Sequence, residues 1–194
     1  DVTAQFSVKT QDGKLVIEKR DVTLTSATAS KPYDGTPLTR NAQTDVTVSG
    51  DGFAEGEGAT YSITGSQTLV GSSENYFTYM LNAGTKADNY NITTSNGTLT
   101  VTNRDAKYEI TVVAKSDTQK YDGTEKSVSG LVSTEFLVDG NTYTVEGLSA
   151  SASGTDAGEY ASNVTGTAVV KDADGNDVTA QFSVKTQDGK LVIE

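Results

Sequence analysis

The chain reads as an all-β protein, because short runs alternate apolar with polar or Thr residues, turn residues recur between them, and no stretch keeps a helical period. In the first half these runs are Val22–Thr25, Val46–Val48, Tyr61–Ile63, Phe77–Leu81, Tyr90–Ile92 and Leu99–Val101. The second half answers with Ile110–Val112, Phe136–Val138, Tyr143–Val145, Val164–Val170, Phe182–Val184 and Leu191–Ile193. All are rich in β-branched and aromatic residues, which suit a pleated surface buried on one side. One acidic stretch, Ala54 to Ala59, approaches a helical pattern, but Gly56 and Gly58 interrupt it. Short strands with frequent turns predict two consecutive small antiparallel β-sandwiches of immunoglobulin-like type in an elongated arrangement. β-Grasp-like modules are the alternative, and they require a helix crossing the sheet.

Repetition organises the chain at two scales. Residues 1–18 (Asp1 to Glu18) recur letter for letter as Asp177 to Glu194, a period of 177 − 1 = 176 residues. A weaker repeat lies inside it: Lys31-Pro-Tyr33-Asp34-Gly35-Thr36 corresponds to Gln119-Lys-Tyr121-Asp122-Gly123-Thr124, an offset of 121 − 33 = 88 residues. Tyr90 through Val101 corresponds likewise to Phe182 through Ile193, and to Phe6 through Ile17. The expected organisation is a closing β-hairpin of a preceding repeat at 1–18, a first β module at 19–104 and a second at 105–194, with the boundary at Asn103-Arg104-Asp105. Neither junction is rich in Pro, Gly or Ser, which favours a stiff connection. Asp12-Gly13, Asn96-Gly97 and Asp188-Gly189 lie between alternating runs, where such pairs predict type I′ hairpin turns. A lone hairpin at 1–18 would carry an apolar face of Phe6, Val8, Leu15 and Ile17, so it is expected either to extend into the first strand of the first module or to pair with a neighbouring molecule, for which its identity with the second module's closing hairpin permits strand exchange.

Composition narrows the chemistry. Net charge is 15 − 26 = −11 with the acidic residues dispersed, and the absence of a basic stripe argues against nucleic acid and anionic lipid. No apolar run is long enough for a membrane-spanning helix. The chain has neither His nor Cys, which removes Ser-His-Asp, Cys-His and thiolate- or imidazole-metal arrangements. Glu55 with Glu57, and Asp172 with Asp174, are the nearest carboxylate pairs, but they sit in Gly-bearing loops and read as solvated. Lys171 through Asp177 resembles a calcium loop, yet counting from Asp172 puts Asp177 where an EF-hand requires Gly and Ser183 where it requires Glu. Asp34-Gly35 and Asp122-Gly123 read as turns, each anchored by the ring of Tyr33 or Tyr121 on the core. A Lys–Asn cross-link could be drawn from Lys31 to Asn89 or Asn91 beside Glu74, and would require a buried lysine. Glycan binding would call for clustered aromatic residues, and the chain lacks Trp. The expectation is therefore a non-enzyme with no catalytic, cofactor or metal residues and no cofactor.

Lys-x-Tyr-Asp-Gly-Thr near a module start, Gly71-Ser-Ser-Glu-Asn75, Lys86-Ala-Asp88-Asn89-Tyr90-Asn-Ile92-Thr93 and a closing Gly97-Thr-Leu99-Thr-Val101 together resemble the tandem Tyr-Asp-Gly or MBG-type (bacterial immunoglobulin-like) repeats of Gram-positive cell-surface adhesins. The likeness covers residues 19–104. The second module keeps Tyr121-Asp-Gly-Thr124 and Asp156-Ala-Gly158-Glu-Tyr160 but has Ala180-Gln-Phe182-Ser183 in place of Asp-Asn-Tyr-Asn, and is more divergent. The resemblance implies a stalk or spacer in an extracellular, cell-wall-anchored or secreted bacterial surface protein, projecting a distal binding region. The alternative it leaves open is a repeat that itself binds a host protein or glycan. Partners expected beyond such a ligand are neighbouring repeats and a second molecule exchanging strands through residues 1–18, with no nucleic acid and no membrane insertion.

Overall fold

The alternating runs do become strands. The computed structural model describes residues 2–194, and all seventeen of its strands are short except one. The first half holds β1 (Arg20–Ser26), β2 (Ala29–Pro32), β3 (Val46–Gly50), β4 (Ala59–Ile63), β5 (Gly71–Asn75), β6 (Phe77–Leu81), β7 (Tyr90–Ser95) and β8 (Gly97–Thr102). The second half holds β9 (Tyr108–Val113), β10 (Asp117–Gln119), β11 (Lys126–Ser129), β12 (Glu135–Val138), β13 (Asn141–Gly154), β14 (Gly158–Ser162), β15 (Val164–Lys171), β16 (Phe182–Gln187) and β17 (Gly189–Ile193). Among the described residues the helical pieces are four 3-10 turns of three residues each. The protein is all-β, built from several small sheets, and no helix of the kind a β-grasp needs is found among these residues.

The expected antiparallel sheets are in fact mixed. β1 pairs parallel with β7 in the register Val22–Ile92, and β2 pairs parallel with β8 in the register Ala29–Leu99. The second half repeats both pairings. β9 runs parallel to β16 with Ile110 opposite Val184, and β10 runs parallel to β17 with Asp117 opposite Leu191. On the first strands the offset read from the sequence recurs, since Val22 and Ile110, and Ala29 and Asp117, are each 88 positions apart, while their partners Ile92 and Val184, and Leu99 and Leu191, are 92 apart. In each half the first strand and the last strand are both split, and the two splits lie side by side.

This geometry overturns the predicted hairpins. β7 and β8 lie in different sheets, as do β16 and β17, so Asn96-Gly97 and Asp188-Gly189 are not hairpin turns but points where a strand crosses from one sheet to the next. The glycines are there because of a close approach. A Cβ on Gly97 would collide with the carbonyl oxygens of Ser26 and Ala27, and one on Gly189 with those of Lys115 and Ala114. Backbone groups displaced from the ladder at the crossing find side-chain acceptors, as buried amides must. The Ser26 hydroxyl accepts the Gly97 N–H at 2.9 Å and the Thr28 hydroxyl that of Thr98 at 3.0 Å. In the second half Ser116 accepts the Lys190 N–H at 3.0 Å.

Residues 2–18 contain no strand. They form one 3-10 turn, Thr3–Gln5, followed by exposed chain, so the hairpin expected there is absent. A pleated hairpin needs a partner face to bury its apolar side, and in this chain the equivalent face is occupied by the second copy of the same sequence.

By contacts the chain divides into two compact units. One comprises 1–27, 41–64 and 76–97; the other 28–40, 65–75 and 98–194. The first is built around Val22, Leu24, Val46, Phe77 and Tyr90, with Phe53 edge-on to Tyr90 at 5.2 Å between ring centroids. The second is built around Tyr33, Ile110, Val112, Tyr143, Val170 and Phe182, with Tyr143 edge-on to Phe182 at 4.7 Å. Its spine is β13, fourteen residues long, which pairs in turn with β12, β15 and β11. A bulge between Glu146 and Leu148 shifts the β13–β15 register. The contact division and the sequence repeat therefore draw different lines, since β2, β5 and most of β8 cluster with the strands of the second half.

Gly97→Ala and Gly189→Ala should each destabilise the chain by about 1–3 kcal/mol, the range for forcing volume into a close-packed contact. Gly13→Ala, at the equivalent position of the first copy where nothing lies within 4 Å, should change stability by less than about 0.5 kcal/mol. Urea melts of the three variants read the difference directly.

Candidate functional site

The recurring Asp-x-Thr segments fold alike. The Asp34 carboxylate accepts the Thr36 N–H at 2.9 Å, the Thr36 hydroxyl at 2.7 Å and the Lys31 ammonium at 2.7 Å. The Asp122 carboxylate accepts the Thr124 N–H at 3.0 Å, the Thr124 hydroxyl at 2.6 Å and the Lys126 ammonium at 2.6 Å. Asp177 accepts the N–H and hydroxyl of Thr179 at 3.0 and 2.7 Å. An aspartate can bond its own backbone two residues on, which is why the residue type recurs at turns. Charge-assisted bonds favour the ionised form. Lys126 and then Thr124 hold Asp122 well below the usual carboxylate range. The Thr179 hydroxyl and N–H lower Asp177. Burial pushes Asp34 up, but the bonds from Lys31 and Thr36 outweigh it and the net shift is downward.

The tyrosines preceding the two Asp-Gly turns do not share a role. Tyr33 is 1% exposed and anchors its turn as expected; its hydroxyl lies 3.4 Å from that of Tyr143, and burial raises its pKa strongly. Tyr121 is 52% exposed, so the anchoring expected of it is not found. Its backbone N–H instead donates to Glu194 at 2.8 Å, tying the turn to the end of β17.

The remaining candidates are dispersed or engaged. Lys31 is bonded to Asp34 and Thr36, while Asn91 donates its amide to Asp21 at 2.9 Å, so the geometry for a Lys–Asn cross-link is not assembled. Glu57 accepts the Tyr90 hydroxyl, which raises the Tyr90 pKa, and Tyr90 in turn accepts the Ala54 N–H at 3.0 Å. Glu55 is exposed. Asp172 accepts the N–H groups of Asp174 and Asn176 at 3.0 and 2.8 Å and closes the turn between β15 and Asp177. Among the described residues no group of three or more carboxylates is placed to hold a metal ion. One open cleft of about 640 Å³ has walls of mixed charge that include Lys19, Arg20, Glu57, Asp88 and Tyr90.

One network was not foreseen. At the expected module boundary the Arg104 N–H donates to the Gln181 side chain at 3.0 Å, and Gln181 donates to Asn103 at 2.7 Å. The Arg104 guanidinium donates to the Tyr33 carbonyl at 2.9 Å and lies 3.9 Å above the Tyr108 ring. Its signal in the sequence was the match of Arg104 with Arg20, whose guanidinium likewise binds backbone, the Gly52 carbonyl at 2.9 Å. Comparison with family models, with curated proteins and with solved structures finds no match.

Tyr33→Ala should cost about 3–5 kcal/mol, as for a buried aromatic, and Tyr121→Ala less than about 0.5 kcal/mol; thermal melts distinguish them. For the aspartates the sign follows from folded pKa values below the unfolded value of about 3.9. Their contribution is complete above that value and is lost as pH falls through the lower folded values. Stability should thus decline from pH 5 to pH 2, with a shallower decline in Asp122→Asn and Asp177→Asn, read from urea midpoints at each pH.

Proposed function

We propose that the chain is a non-catalytic stalk or spacer repeat of a large bacterial cell-surface, adhesin-type protein, formed of two immunoglobulin-like modules and projecting a distal binding region. The observation that carries this reading is the repeated parallel closure of first strand on last. A repeat in tandem transmits load through its ends, and a ladder between parallel strands pulled from opposite ends is sheared, so its hydrogen bonds bear the load together. β1–β7 supplies six registered pairs and β9–β16 another six. Short polar turns and identical 18-residue segments suit a protein that gains reach by adding copies. Likeness of the Tyr-Asp-Gly-Thr segments to adhesin repeats supports the extracellular, cell-wall setting.

Force spectroscopy tests the reading. Because the sequence has no cysteine, handles can be placed by substitution alone. Pulling through Arg20→Cys and Ser95→Cys loads the β1–β7 ladder in shear, whereas Arg20→Cys and Tyr90→Cys opens it one pair at a time. A clearly higher rupture force in the first geometry is expected. Equal forces, or extension without a peak in both, would remove the mechanical argument, and saturable binding of a host protein or glycan by the isolated chain would favour a binding module instead.

A further inference from the structure

We infer that residues 2–18 are a strand donor, and that their acceptor is the seat held by β16–β17 in a second copy of this chain. The donor matches the seated segment at every position, and the two differ only in surroundings. Phe182 is 4% exposed, Leu191 0% and Ile193 2%; the same residues in the first copy, Phe6, Leu15 and Ile17, are 69%, 88% and 88% exposed. Six large apolar side chains of residues 2–18 face solvent, a concentration that marks an interaction surface.

The donor is already set in the seated local conformation where that conformation is local. Thr3–Gln5 forms the same 3-10 turn as Thr179–Gln181, with the Gln5 N–H on the Val2 carbonyl as the Gln181 N–H is on that of Val178. What the first copy lacks is the acceptor. That acceptor has two edges for β17, β10 in parallel and β14 antiparallel, and one for β16, the parallel edge of β9. Placed there, Phe6 would stand opposite Tyr108, Val8 opposite Ile110, Leu15 opposite Asp117 and Tyr160, and Ile17 opposite Gln119 and Gly158, by the registers of their counterparts. Polar complementarity transfers as well. Lys185 pairs with Glu109 at 2.9 Å and Lys190 with Glu159 at 2.8 Å, and the counterparts are Lys9 and Lys14. Gln5 would meet Asn103 and Arg104 as Gln181 does.

Exchange of identical strands makes and breaks the same contacts. The balance is then set by concentration, since the covalently attached copy benefits from an effective concentration of about millimolar. Insertion of one molecule's first segment into the next molecule's second half is a heterologous contact that propagates head to tail.

A disulfide trap on the full chain tests this. Lys185 stands opposite Thr111, so Lys9 of a donor would too. Chains bearing Lys9→Cys are mixed with chains bearing Thr111→Cys, unfolded, refolded together near millimolar concentration and oxidised. A mixed disulfide dimer is expected. Adding Leu15→Asp to the donor should lower its yield by about tenfold or more, because a charge at a wholly buried position is disfavoured, while leaving the melting temperature of the monomer unchanged because Leu15 is exposed. No mixed disulfide after refolding, or equal yield with Leu15→Asp, overturns the proposal.

Discussion

Everything in this chain hangs on the parallel pairing of a split first strand with a split last strand, twice over. A continuous pair of strands would make one sheet. Breaking both at the same level lets the chain pass from one sheet to the next without losing its neighbour, so that β1 stays paired with β7 before the break and β2 with β8 after it. The break works only if two backbones come closer there than side chains allow. Gly97 and Gly189 meet that steric condition, and the hydroxyls of Ser26, Thr28 and Ser116 meet the hydrogen-bonding one.

This explains which parts of the fold could be read from the sequence. The strands with alternating apolar residues are where periodicity put them, because one face of each is buried. Those that escaped notice, β2, β5, β10, β11 and β14, are short and mostly polar, and exist because a neighbour supplies a ladder. The Asn96-Gly97 and Asp188-Gly189 pairs misled for a related reason. Between alternating runs the same two letters serve a reversal or a crossing, and the choice lies with strands about seventy positions away, as the 70-residue separation of Thr98 from Thr28 shows. Tyr33 and Tyr121 teach the same lesson at single-residue scale. Their local sequences are nearly equivalent, but only Tyr33 meets Tyr143 and the cluster around Phe182. The turns at Asp34-Gly35 and Asp122-Gly123, by contrast, were legible as turns, because an aspartate bonding its own segment two residues on needs nothing beyond it, whereas the anchoring of Tyr121 was not.

The two copies of one 18-residue sequence separate local from non-local causes within a single molecule. The 3-10 turn appears in both places, and its bonds reach only three residues. The strands appear only where β9, β10 and β14 are present to receive them. Turn formation here belongs to the segment, whereas strand formation belongs to the pair.

Pairing the first strand with the last also imposes an order of events during synthesis. Arg20 cannot meet Tyr90, nor Tyr108 meet Phe182, until the intervening chain has left the ribosome. At roughly 5–20 residues per second, some seventy residues (the Thr23–Thr93 separation is 70) take several seconds to emerge. Through that interval β1 has β3 on one side and an unpaired edge on the other, a hazard for wrong pairing. The edge is short, opens on Arg20 and Asp21 and alternates with threonine, features that make a waiting strand a poor template for strangers. Each half thereby stays open until its last strand arrives.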